Sequence, residues 1–149
     1  TARLVGSSDV YKRQPEGRIR QGETLFKMFC IGCHGPEGEG LTNIAPTLHS
    51  DWVAGDPEVL VKLLLQGLQG DIEINGELQH FEAPMPAFGP ALGDGEIASL
   101  LSYIRKTWTD AEADVTAEFV QEVRNGEEGV VGPYEAGELW KTAEPWQSQ

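Results

Sequence analysis

The sequence predicts a mainly α fold of three to five helices with one short hairpin and a C-terminal extension. Three observations carry this. Apolar residues recur at steps of three and four in several separate stretches, the spacing that lines one face of a helix. Strict alternation is confined to DIEINGEL at 71–78, too short to found a sheet. The 18 glycines and 9 prolines among 149 residues imply many turns around a small core, which needs a staple beyond hydrophobic burial.

The first helix is expected at 21–31, where Leu25, Met28 and Phe29 share helical spacing and Gly32 lets the chain break. Residues 35–49 hold Gly, Pro, Glu, Asn and Thr without periodicity and read as a loop able to wrap a ligand edge. Asp56-Pro57 supplies an N-cap and a first-turn proline for a second helix carrying Val59, Leu60, Leu63 and Leu64, which Gly67 ends. Asn75-Gly76 is a hairpin turn signal. A third helix is expected to open with Asp94 as its cap and to bury Ile97, Leu100, Leu101, Ile104 and Trp108. Beyond 109 the chain turns acidic and glycine-rich; Thr116 caps a helix with Phe119, Val120 and Val123, and 135–141 adds a turn.

Residues 1–14, TARLVGSSDVYKRQ, share neither the acidity nor the punctuation of the rest and resemble translated adapter sequence. Residues 1–20 are therefore set aside as an artefact or disordered tail, leaving a domain at 21–109 and an extension at 110–149 packed on it. From 21 onward six basic residues face 22 acidic ones, a balance of −16. That charge disfavours nucleic acid and anionic membrane surfaces and favours a partner with a basic patch, although it also serves simple solubility. No run of about 18 apolar residues exists, so no membrane span is expected in this chain.

The chemistry is concentrated in Cys30-Ile31-Gly32-Cys33-His34. C-x-x-C-H is the attachment signature of a c-type haem. Residues three apart on a helical turn share a face, so both thiols can meet two vinyl groups on one side of a porphyrin while the next residue offers imidazole to the iron. Three rivals remain. A structural zinc site needs four ligands, but only two cysteines exist, and His49 and His80 are not closely paired. A thioredoxin-like redox pair follows a strand, whereas the residues before Cys30 look helical. A plain disulfide or chance occurrence is the third.

The haem reading demands a second axial ligand, and a thioether suits an iron that changes oxidation state. Met28 lies six residues before His34 on the same helix and cannot reach the other face of the ring. Met85, in APMPAF, is held between two prolines and is the expected ligand, with His80 as competitor and a core gap-filler as the bland alternative. His49 is expected at the surface or facing a propionate. A ligating imidazole needs an acceptor for its other N–H, and the Pro46 carbonyl is the candidate. One covalent haem c, bound by Cys30, Cys33, His34 and Met85 with Pro46 in support, is thus the expected site.

G-x-x-x-F before C-x-x-C-H-G, then G-x-G, A-P-x-L, N-G, M-P-A-F and a final amphipathic helix together resemble the class I bacterial cytochromes c over about 21–108. The stretch NGELQHFEAPMPAFGPALGDGEIASLLSYIRKTW is similar in particular to cytochrome domains of bacterial alcohol, aldehyde and sugar dehydrogenases. The resemblance implies a cytochrome c fold around the haem, with Gly22 and Phe26 packed against Tyr103. It implies single-electron transfer outside the cytoplasm, in the periplasm, between a dehydrogenase donor and an oxidase or cytochrome acceptor, possible tethering lying upstream. Two other functions compete: a haem subunit of a dehydrogenase complex, and a sensor or enzyme with a labile sixth ligand. An export signal must then have been cleaved or lie upstream.

Overall fold

The computed structural model describes residues 15–144. In chain order its elements are α1 (Pro15–Phe29), α2 (Ile31–His34), α3 (Asp51–Ala54), α4 (Pro57–Gln66), β1 (Leu68–Gln69), β2 (Ile72–Ile74), β3 (Glu77–Gln79), α5 (Asp94–Trp108), α6 (Ala117–Gly126), β4 (Tyr134–Glu135) and α7 (Ala136–Trp140). Seven helical segments among the described residues exceed the expected three to five. The surplus consists of single turns, α2, α3 and α7, of 4, 4 and 5 residues. Periodicity is blind to segments that short, which tertiary packing and caps hold in place.

The first helix starts at Pro15, not at 21, so the boundary at residue 20 is corrected: residues 15–20 belong to the folded body. Glu16 sits in the first turn, where carboxylates suit the helix dipole. Arg18 Nε donates to Asp114 at 3.0 Å, tying this end to the segment before α6. The earlier part of the set-aside segment, 1–14, lies outside the described residues.

α1 crosses α5 at Gly22. A Cβ there would overlap the Ser99 carbonyl oxygen, so only glycine permits this approach. One turn on, the buried Phe26 ring lies 5.8 Å from Tyr103 and 4.9 Å from Trp108, centroid to centroid. Tyr103 is therefore in contact as the resemblance implied, and Trp108 is the closer ring.

Asp56 caps α4 by accepting from the Glu58 N–H at 2.9 Å, with Pro57 following, and Gly67 ends it. The cap of α5 is Gly93, one residue before the expected Asp94. The reason is that the Glu96 carboxylate reaches back to the Gly93 N–H at 3.0 Å, which releases Asp94 to pair with Arg124 at 2.7 Å. Asn75 and Gly76, at φ of 54° and 85°, turn β2 into antiparallel β3. Thr116 caps α6 through the Phe119 N–H.

The extension lies against the domain by burying Val115, Val120, Val123, Ala136 and Leu139. Trp140 stacks on Trp52 with centroids 4.5 Å apart and planes 28° off parallel. The buried Arg105 guanidinium donates to the carbonyls of Val53, Gly55 and Glu112, joining α3, α5 and the start of the extension. β4 also pairs in parallel with β1, an association of segments 66 residues apart in register Leu68 with Tyr134. Among the described residues, no helix is long and apolar enough to cross a membrane.

Candidate haem site

α1 does not run through the cysteines as one rod. Cys30 opens the separate turn α2, and the His34 N–H bonds the Cys30 carbonyl at 2.9 Å, which stands Cys33 one turn above Cys30. Cys30 is buried and Cys33 exposed, yet both line one cavity of about 410 Å³. Burial pushes the Cys30 thiol up to about 12, with the nearby Cys33 adding to the effect.

His34 is 8% exposed and lines the same cavity. Its Nδ1 lies 2.9 Å from the Pro46 carbonyl oxygen, so Nδ1–H donates there and the lone pair stays on Nε2. Burial lowers the His34 pKa, against the opposing influence of the Pro46 carbonyl, the direction that favours the neutral ring a metal ligand needs. Pro46 reaches this position because the loop folds back on itself. Gly40 N–H bonds the His34 carbonyl at 2.7 Å, and Leu48 N–H bonds the Gly38 carbonyl at 2.7 Å. Gly40 holds φ of +81°, and a Cβ on it would meet the Thr47 nitrogen at 2.6 Å.

Met85 is half-buried and lines the cavity too. Its N–H donates to the Leu68 carbonyl at 2.8 Å, and its carbonyl accepts from the Leu68 N–H at 3.1 Å. His80 also borders the cavity, but its side chain is 75% exposed and its Nδ1 is 2.8 Å from Asp71 Oδ1. Met28 points to solvent, 66% exposed. His49 is exposed, with its ring 6.2 Å from Trp108 and outside the cavity wall.

The rest of the wall is mainly apolar: Trp52, Leu60, Leu64, Ile72, Leu101 and Ile104 face in from α3, α4, β2 and α5. Leu101 and Ile104 were legible as an amphipathic stripe, whereas Trp52 and Leu68 arrive from a one-turn helix and a two-residue strand that carry no periodic signal. A flat macrocycle with two vinyl groups and a coordinating metal fits this arrangement. Two thiols, an imidazole oriented by a backbone carbonyl and a thioether all line this one largely apolar cavity.

Residues 17–104 match the family described as cytochrome c oxidase, cbb3-type, subunit III. The chain belongs to this cytochrome c family. Cytochrome c-552 of Thermus thermophilus is 35% identical over 105 residues, covering 64% of this chain and 78% of that protein. The fructose dehydrogenase cytochrome subunit of Gluconobacter japonicus is 30% identical over 117 residues, 73% of this chain but 23% of that subunit. The gluconate 2-dehydrogenase cytochrome c subunit of Pantoea cypripedii is 32% identical over 117 residues, 71% of this chain and 24% of that subunit. As a cytochrome c, the protein has covalently attached haem c as its cofactor and electron transfer as its work, and Cys30 and Cys33 stand at the family's attachment spacing.

Proposed function

We propose that this cytochrome c carries one electron at a time on a single haem c, bonded through Cys30 and Cys33 and ligated by His34 and Met85. One observation supports this most: those four side chains, drawn from α2 and a loop fifty residues later, line one apolar cavity. When bound, the group supplies reversible ferrous–ferric chemistry. The chain's own residues do the rest. Pro46 fixes the tautomer and plane of the His34 ring, and Leu68 fixes the backbone of Met85. The apolar wall keeps water from the metal, and thioether ligation with burial favours a high potential. Cys33, Ile44, Ala83 and Pro84 are exposed while bordering the cavity, so its mouth lies between the attachment turn and the Met85 loop, where a redox partner docks transiently. The His80–Asp71 pair, held outward in solvent, favours Met85 over His80.

Carbon monoxide tests the ligation. The reduced protein should bind almost none near neutral pH, and Met85→Ala should bind it readily. Ready binding by the wild type would instead mean a labile sixth position, as in a sensor or haem enzyme.

The two dehydrogenase subunits favour a more specific setting: this chain takes electrons from a dehydrogenase of small organic substrates and passes them to an oxidase or another cytochrome, outside the cytoplasm. Substrate oxidation would belong to the partner. Copurification of a dehydrogenase with the tagged protein from its own host supports this; a free carrier reduced by no dehydrogenase of that host opposes it.

A further inference from the structure

The Met85 loop is gripped by the C-terminal extension at two places, through Tyr134 and Arg124, which both lie beyond residues 17–104. The first runs through β1. Leu68 turns both its backbone groups to Met85, and β1's other edge pairs with β4, where the Tyr134 N–H reaches the Gly67 carbonyl at 3.0 Å. Met85, β1 and β4 thus form one hydrogen-bonded ribbon. It is packed to backbone contact: at Gly67, φ +87°, a Cβ would lie 2.7 Å from the Met85 carbonyl oxygen and 3.4 Å from Pro133 Cβ. The Tyr134 hydroxyl donates to buried Glu127 at 2.5 Å, locking β4 to the end of α6.

The second grip is Arg124 of α6. Its Nη1 donates to the Gly89 carbonyl at 3.0 Å, Nη2 to the Leu92 carbonyl at 2.8 Å, and Nε to Asp94 at 2.7 Å. One guanidinium therefore pins the descending limb of the loop to the start of α5. Phe88, between the two grips, hydrogen-bonds the Leu64 carbonyl through its N–H at 2.7 Å and meets the Phe29 ring edge-on at 6.0 Å.

We propose that the extension is a strap that holds Met85 against the iron, with Arg124 and Tyr134 as positioning residues. This rests on Met85 being the axial ligand. A thioether is a weak, neutral ligand, and its hold on ferric iron depends on how seldom its loop opens. An incoming ligand binds only the open state, so its apparent affinity scales with the open fraction. Removing the Arg124 bonds raises that fraction.

The test uses the mature haem-bearing protein and imidazole as the competing ligand. Arg124→Met should tighten apparent imidazole binding to the ferric protein by about tenfold or more, the factor worth roughly one charge-assisted hydrogen bond. It should also weaken the far-red sulfur-to-iron charge-transfer band, with haem content unchanged, and Arg124→Lys should restore part of the effect. Arg18→Met is the control, because it cuts the pairing of the extension with α1 through Asp114, away from the Met85 loop. It should lower stability while leaving imidazole affinity as in the wild type. If Arg124→Met does not fold, Tyr134→Phe replaces it with the same expected direction. Equal effects of the Arg124 and Arg18 variants, or none from Arg124→Met or Tyr134→Phe, overturn the strap while Met85→Ala still loses the band. A wild type without the band, unchanged by Met85→Ala, overturns the ligation and the strap together.

Discussion

At Gly22 one absent carbon decides how closely two helices approach. A methyl there would overlap the Ser99 carbonyl and come within 2.5 Å of Tyr103 Cβ, and neither can retreat without moving α1 or α5. Gly22→Ala should therefore cost about 3 kcal/mol, the upper end for overpacking, seen as a lower denaturant midpoint at unchanged slope. At this scale the sequence was most legible. Cys30, Cys33 and His34 are named by their spacing, because the chemistry needs two thiols and an imidazole on one turn. Met85, the proposed second ligand, stands in a proline-flanked loop that borders the same cavity, whereas Met28 lies on α1 and points to solvent. Less legible was the environment of each residue. Nothing local announces that Asp94 pairs with Arg124 instead of capping, or that Trp108 approaches Phe26 more closely than Tyr103 does.

Elements with a long stripe and local punctuation were readable end to end. α4 is the clearest, its cap, proline and terminating glycine all falling where Asp56, Pro57 and Gly67 predict. Asp56 does more than cap, because its second carboxylate oxygen accepts from the Glu144 N–H at 3.0 Å and the residue is buried. Asp56→Ala should cost about 2 kcal/mol, at the high end for a lost N-cap, by urea denaturation. A loss near zero would mean that water replaces both acceptors. The one-turn helices α2, α3 and α7 and the strands β1 and β4 were not readable. A two-residue strand has no period, and its partner here lies 66 positions away, so only tertiary context creates it. The first helix shows the same limit from another side. A compositional break near its start does not mark the edge of the fold, because residues 15–20 are helical and Arg18 pairs with Asp114, 96 positions on.

Over the whole molecule, one of the joints between the extension and the domain is a buried cation. Arg105 satisfies three backbone carbonyls, without a carboxylate in ion-pair contact among the described residues, and burial lowers its pKa against the pull of Glu112 and Asp56. Arg105→Met would strand those carbonyls in an apolar setting and should cost about 3 kcal/mol, with a single cooperative transition retained. Two separate transitions would show that the extension unfolds independently. The net charge of −13 acts at longer range. Reduction by a partner with a basic face should slow several-fold between about 0.01 and 0.15 M salt, as the Debye length contracts from about 30 to about 8 Å. A rate indifferent to salt would place docking on uncharged surface alone. The proposed ligation of the iron by His34 and Met85 is tested most directly by proton NMR of the reduced protein. A methionine methyl pressed against the porphyrin face should resonate far upfield of all other methyls, and Met85→Ala should abolish that signal. Its absence from the wild type, or its persistence in the variant, would contradict the account.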